Sequence, residues 1–153
     1  MPLVKFPGKL IQPYWRMRRG LTLGAQGIVF DAEGQVLLVK HGYRPGWHFP
    51  GGGVEWGETI ETALARELSE EAGVQLTARP RLHGVFANFA TFPGDHIAVF
   101  VCESYDRPVT PKPTTEILES RFFPLGALPT GLADGARRRL AEIDAGTPPA
   151  HDW

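Results

Sequence analysis

The sequence predicts an α/β fold in which short strands, most of them paired antiparallel, are combined with two helices. Three observations predict it. Short hydrophobic segments recur along the chain between clusters of Gly, Pro and Asp, as strands do. Residues 59–72 carry both a start and a stop signal for a helix. Residues 132–145 place Ala136, Leu140 and Ile143 at helical spacing. With 42% hydrophobic and 22% charged residues in 153, the composition is that of a chain able to pack a core, and the length suits one domain over residues 1–153.

In chain order, segments 21–30 and 35–40 flank Asp31-Ala32-Glu33-Gly34, a turn sequence ending in Gly, and are expected to form a β-hairpin. Residues 41–46 lead into Trp47-His48-Phe49-Pro50, a brief extended piece that proline and three glycines stop, so the chain is expected to turn there. The first helix begins at Thr59, a capping residue after Gly57. It contains neither Pro nor Gly and ends before Gly73, which suits the left-handed position past a helix. Residues 74–76, 81–89, 97–103 and 120–123 read as strands, with breaks at 91–95 and in the proline-rich stretch 107–113. In the second helix Arg137 to Arg139 fall mostly on the face opposite the apolar residues, and 146–153 is expected to be a loose tail.

Lys plus Arg number 16 against 17 Asp plus Glu, so the general positive field that drives binding to extended nucleic acid is missing and any nucleotide partner is expected to be small. Arg16, Arg18 and Arg19, with Tyr14 and Trp15, form a local basic cluster that reads as a solvated flank, and it is the one feature favouring an RNA-processing role. Cys102, the single cysteine, sits in a hydrophobic run and reads as a buried structural thiol. No apolar run is long enough to span a membrane, so no membrane partner and a cytoplasmic location are expected. His41, His48, His83, His96 and His151 show no zinc-ligand pairing and read as structural or exposed.

The first helix carries the chemistry. At about 100° per residue, Ile60, Ala63, Leu64 and Leu68 mark an apolar stripe, and Glu67, Glu70 and Glu71 continue it toward the C-terminal end. Glutamates three and four apart repel one another, and the helix C-terminus disfavours negative charge. Arg66 is the only basic side chain in the helix to offset them. A charged helix tip in solvent would explain the acids alone, but a divalent cation would reverse each penalty, since converging carboxylate oxygens suit Mg²⁺ or Mn²⁺. Just before the helix, Pro50-Gly51-Gly52-Gly53 is a backbone that a phosphate or metal can approach closely.

Residues 52–74, GGVEWGETIETALARELSEEAGV, resemble a complete Nudix box: Gly52, Glu58, Arg66-Glu67, Leu68, Glu70-Glu71, Gly73 and the aliphatic Val74 stand at the family's spacing. A softer likeness extends over about 20–143, which leaves 1–19 as an N-terminal extension and 146–153 as a tail. The fold this resemblance implies is an α/β/α sandwich with a mixed, largely antiparallel sheet. It implies that Glu67, Glu70 and Glu71 are metal-binding and catalytic carboxylates, with Glu67 a candidate general base, and that the carbonyl of Gly51 or Gly52 adds a metal ligand. Glu58 and Arg66 would brace loop and helix as an ion pair, Gly73 would be a structural box position, and a later acidic residue, Glu116 or else Glu119, would complete the metal site.

The activity implied is Mg²⁺- or Mn²⁺-dependent hydrolysis of a phosphoanhydride in a nucleoside diphosphate linked to another group. Nucleoside triphosphates, nucleotide sugars such as ADP-ribose and dinucleoside polyphosphates all remain open, and a homodimer is a family-level expectation. Arg44, Trp47, Phe89 and His96 are the foremost candidates for substrate contacts, with Lys40 for phosphate or ribose and Tyr43, Phe86 and Phe92 as further stacking candidates. The competing reading is a nucleotide-binding sensor of the same fold without turnover.

Overall fold

The computed structural model describes residues 13, 14 and 17–153. Trp15 and Arg16 of the basic cluster lie outside the described residues, while Arg18 and Arg19 are exposed. The strands are β1 (Thr22–Val29), β2 (Val36–His41), β3 (Trp47–His48), β4 (Gly51–Gly53), β5 (Gln75–Leu76), β6 (Arg81–Ala87), β7 (Asp95–Cys102), β8 (Tyr105–Asp106) and β9 (Ile117–Phe123). The helices are α1 (Ile60–Ala72) and α2 (Asp134–Ala145), with a 3-10 turn at Leu125–Ala127. No helix among the described residues is long and apolar enough to cross a membrane.

A four-stranded sheet runs in the order β4-β1-β7-β6, beside a three-stranded sheet β3-β2-β9 and a small β5-β8 pair. β1 and β7 are parallel from Thr22 opposite Asp95 to Val29 opposite Cys102, and the other pairs are antiparallel, so the sheet is mixed. Alternation along the strands divides the core in two. Ala25 and Val29 of β1 and Leu37 and Val39 of β2 meet Ala63, Leu64 and Leu68 of α1 on one face. Ile28, Val36 and Leu38 turn the other way, to Phe49, Phe86, Ala136 and Leu140 on the α2 side. Cys102 belongs to the α1-side core, where burial pushes its thiol up to about 12, well out of nucleophilic range.

Three local expectations are corrected. Segments 21–30 and 35–40 do meet at a turn, in which the Asp31 carboxylate accepts the Gln35 N–H at 2.7 Å and Phe30 bridges Val36. Beyond that bridge they separate, because both edges of β1 are taken by β4 and β7 while β2 pairs with β3 and β9. The three glycines do not simply turn the chain: they are β4, paired with Gln26, Ala25 and Gly24. Gly51 has φ 150°, and a Cβ there would overlap the Ala25 carbonyl, so only glycine lets β4 lie this close to β1.

The third correction concerns the C-terminal end. Arg139 is fully buried, with its guanidinium 4.0 Å from the Phe86 ring centroid and hydrogen bonds to both carboxylate oxygens of Glu142. Residues 146–153 are likewise no loose tail. Asp152 bridges Ala87 of β6, its carbonyl accepts from Arg139 Nη1 at 3.0 Å, and the Trp153 ring stands edge-on to Phe49 and Phe86. Gly135 has no side chain where the Trp153 indole packs, and a Cβ there would collide with it.

Candidate active site

The site grows from the two ends of α1. At its start the Thr59 hydroxyl accepts the Thr62 N–H at 3.1 Å, an N-cap that fixes where the helix begins. At its end Gly73 takes the left-handed conformation, φ 67°, and the N–H groups of Gly73 and Val74 bond back to Ser69 and Leu68 at 3.1 and 3.0 Å. These caps set the rotation of the helix against β4. Leu64 and Leu68 lie against β1, where Gly27 leaves room for the Leu68 methyls.

The three glutamates of the acidic stripe have different environments. Glu71 is 5% exposed, and its Oε2 accepts the Gly51 N–H at 2.9 Å. Burial pushes its carboxyl up to about 7; the Gly51 N–H draws it down, and the nearby charge of Glu67 raises it further. Glu67 is partly buried against Gly52, where a Cβ would collide with the carboxylate, so the glycine is what lets strand and acid meet. Its Oε1 accepts from Arg66 Nη1 at 2.6 Å. Glu70 departs from the expected inward stripe: its side chain is 62% exposed and lies 3.7 Å from Arg66. The third member points outward because the helix turns by about 100° per residue and only Glu67 and Glu71, a full turn apart, can face β4 together.

Arg66 organises the loop before the helix. It forms a two-pronged pair with Glu58 at 2.9 and 3.1 Å and reaches the Gly53 carbonyl at 3.2 Å. The ion pair expected between Glu58 and Arg66 is therefore present, and its hydrogen bonds hold the Glu58 carboxyl below its usual range. Glu67 and Glu71 with the carbonyls of β4 are hard oxygen donors of the kind that Mg²⁺ or Mn²⁺ takes, and in chemistry they fit such an ion. Among the described residues no three His, Cys, Asp or Glu side chains converge as a finished metal cluster. Arg66 holds Glu67 and lies near Glu70, where a divalent cation would compete for both.

The end of β2 supplies a residue that the sequence reading took as structural or exposed. His41 is 2% exposed and lies 3.6 Å from Glu71 Oε1 through its Nδ1. Burial and the Arg44 charge lower it to about 4, so the ring is neutral. The signal was the period of two: His41 follows Leu37 and Val39 on the α1 face of β2. Arg44 is partly buried and donates from Nη2 to His41 Nε2 at 3.1 Å. Glu116 is exposed, but its segment is tied to the same loop, its carbonyl accepting the Gly42 N–H at 2.9 Å, and its charge is felt at Glu71 and Tyr43. Glu119 instead leans toward Arg121, 3.4 Å away on β9.

The remaining candidates disperse. Trp47 is 7% exposed and packs edge-on against Phe123, so its ring belongs to the core, as does that of Phe86. Phe89 is exposed and stands edge-on to His96, two strands from β4. Tyr43 and Phe92 are exposed, and Lys40 lies 6.0 Å from the Trp47 ring. A groove of about 630 Å³ lies at the opposite end of α1, lined by Ile60, Leu82, Val85 and Phe100. Its one carboxylate, Glu61, is bound to Arg79.

Known proteins resemble this chain in sequence and fold. The family model described as NUDIX domain matches residues 20–143. An uncharacterised Nudix hydrolase of Bacillus subtilis (strain 168) is 37% identical over 83 residues, 50% of this chain and 51% of that protein. An RNA pyrophosphohydrolase of Actinobacillus pleuropneumoniae serotype 5b (strain L20) is 47% identical over 47 residues, 31% of this chain and 23% of that protein. Among solved structures, a MutT NUDIX hydrolase from Burkholderia pseudomallei superimposes with a TM-score of 0.69 at 27% identity, covering 80% of this chain and 97% of that one. The chain spans about half the length, or less, of the curated relatives it matches.

Proposed function

The chain belongs to the NUDIX family, and from that membership we propose that it is a Mg²⁺- or Mn²⁺-dependent pyrophosphohydrolase acting on a nucleoside diphosphate linked to another group. The observation that carries the proposal is the meeting of α1 and β4: Glu71 is buried on the Gly51 N–H and Glu67 lies against Gly52, a turn apart on one helix. A buried carboxylate with a half-buried one a turn away is costly unless a cation is shared between them.

Glu67 and Glu71, with the carbonyl of Gly51 or Gly52, would hold the ion, and Glu70 and Glu116 would complete its surroundings. The ion supplies neutralisation of phosphate charge and acidification of a water near neutral pH. Glu67 accepts the proton of the attacking water, and Arg66 holds its carboxylate in reach of β4. Glu58 braces Arg66, so the loop and helix keep one geometry while charge moves. Arg44, which bonds to His41 beside the cluster, would hold a phosphate oxygen. Phe89, in the turn after β6, and His96 of β7 form an edge-on pair and are the candidates for the base or ribose end.

The match to the RNA pyrophosphohydrolase covers 47 residues, too little of that protein to carry over its substrate. The near-neutral charge of this chain favours small nucleotides over extended RNA. A panel of nucleoside triphosphates, nucleotide sugars including ADP-ribose, and dinucleoside polyphosphates, assayed for products with Mg²⁺ or Mn²⁺, tests the proposal. Cleavage that a chelator abolishes is the expected result. Tight nucleotide binding with no product from any member would overturn it in favour of a sensor.

A further inference from the structure

We infer that His41 is a positioning residue that joins the two halves of the site, Arg44 on the phosphate side and Glu71 on the metal side, through one ring nitrogen each. The inference rests on the metal-and-phosphate reading above and adds a residue to it.

Its basis is where buried polar atoms lack partners. Among the described residues only Gln26 Oε1, His41 Nδ1 and Arg44 Nε are buried side-chain polar atoms without a hydrogen bond. Two of these three belong to side chains in direct contact, and buried orphans concentrated at one place point to a group that arrives there. The tautomer follows from the chemistry of the contact. A guanidinium has donors only, so Arg44 Nη2 at 3.1 Å requires a lone pair on His41 Nε2, and the proton of the neutral ring resides on Nδ1. That N–H faces Glu71 Oε1 at 3.6 Å, longer than a hydrogen bond and within reach of a small shift.

The surroundings hold the ring in this role. Its side chain is fully buried, Tyr43 lies tilted over it at 4.9 Å between centroids, and His48 flanks it at 5.7 Å. The loop that carries Arg44 is pinned by the Gly42 N–H on the Glu116 carbonyl, and Gly42 packs where a Cβ would collide with the Thr115 carbonyl. One nitrogen of His41 thus orients the Arg44 fork, leaving Nε for a phosphate oxygen. The other, unpartnered and 3.6 Å from Glu71 Oε1, orients that carboxylate, as outer partners of metal ligands do.

Two near-isosteric substitutions separate the arms. The amide of His41→Asn reaches about as far as Nδ1 and withdraws from Arg44, whereas that of His41→Gln reaches the place of Nε2 and withdraws from Glu71. Mn²⁺ affinity is read by electron paramagnetic resonance, and inorganic pyrophosphate affinity by calorimetry on the Mn²⁺-saturated protein. For His41→Gln the expectation is Mn²⁺ binding weakened by about 10- to 100-fold with pyrophosphate affinity retained; for His41→Asn it is the reverse. Arg44→Gln, which leaves the ring in place, is expected to weaken pyrophosphate alone. Parallel losses of both affinities tracking the melting temperature, or no loss in either variant, overturn the bridge while leaving the metal site standing. A wild-type chain that binds no Mn²⁺ overturns the metal reading and the bridge together.

Discussion

Glu67, Glu70 and Glu71 are alike in the sequence and unlike in the structure, and the difference sets what each substitution should do. Glu71→Gln and Glu70→Gln are each expected to lower turnover by about 10²- to 10⁴-fold with the circular dichroism spectrum unchanged. Glu70 is the cleaner test, since its exposed side chain supports no part of the core. Near-normal rates in both variants would remove the metal assignment. Glu142 is a residue of another kind. Burial alone would raise its carboxyl, but hydrogen bonds from Arg139, the Ala150 N–H and His83 outweigh that and hold it at about 2, below the ordinary 4.5. A depressed carboxyl stabilises the fold above its unfolded value, and that contribution is lost as pH falls from about 4.5 toward 2. Urea midpoints across this window should fall steeply for the wild type and more shallowly for Glu142→Gln; equal slopes would contradict the shift. The carboxylates of α1 and their box were legible from spacing. His41 was less so, because a lone histidine at the end of a strand has no signature beyond its parity with Leu37 and Val39.

α1 is the element whose sequence and structure agree best, because its determinants are local. Thr59→Ala is expected to cost about 1 kcal/mol in urea unfolding through the lost cap. Gly73→Ala is expected to cost more than about 1 kcal/mol, since it adds left-handed strain and drives a Cβ into the Val109 carbonyl. A smaller loss for Gly73→Ala than for Thr59→Ala would contradict the geometry described. The β1–β2 hairpin failed for the opposite reason. A turn and two alternating segments are local, but strand pairing is not, and β1 gains more by lying between β4 and the full length of β7 than by continuing beside β2. β4 escaped the sequence reading because three glycines have no side chains to show an alternation.

For the molecule as a whole, the C-terminal strap ties α2 to β6 and reaches Phe49, next to the glycine strand of the site. Arg139 is its centre, stacked on Phe86, paired with Glu142 and bonded to the Asp152 carbonyl. Arg139→Ala is expected to destabilise the chain by about 3–5 kcal/mol, because it leaves Glu142 short of its strongest partner. Thermal or urea unfolding measures this, and a loss under about 1 kcal/mol would show that the pair is not holding the strap. The sequence reading set Arg137 to Arg139 mostly opposite the apolar residues, although Arg139 stands three residues after Ala136 and four before Ile143, at the edge of that stripe. No local pattern can announce that a distant Trp153 and Phe86 will build a pocket for a guanidinium.

The amino-acid sequence alone sufficed for an α/β fold class, the two helices and the acid-bearing stripe, while the pairing of Glu58 with Arg66 was what the resemblance to the family implied. All of these depend on residues within a few turns of one another, whose geometry the backbone imposes. The separation of the glutamates into buried, half-buried and exposed, the placing of His41 between Arg44 and Glu71, the parting of β1 from β2 and the docking of the tail arose only on folding. Each depends on which surfaces, far apart in the chain, exclude water from one another, and that is a property of the assembled layers.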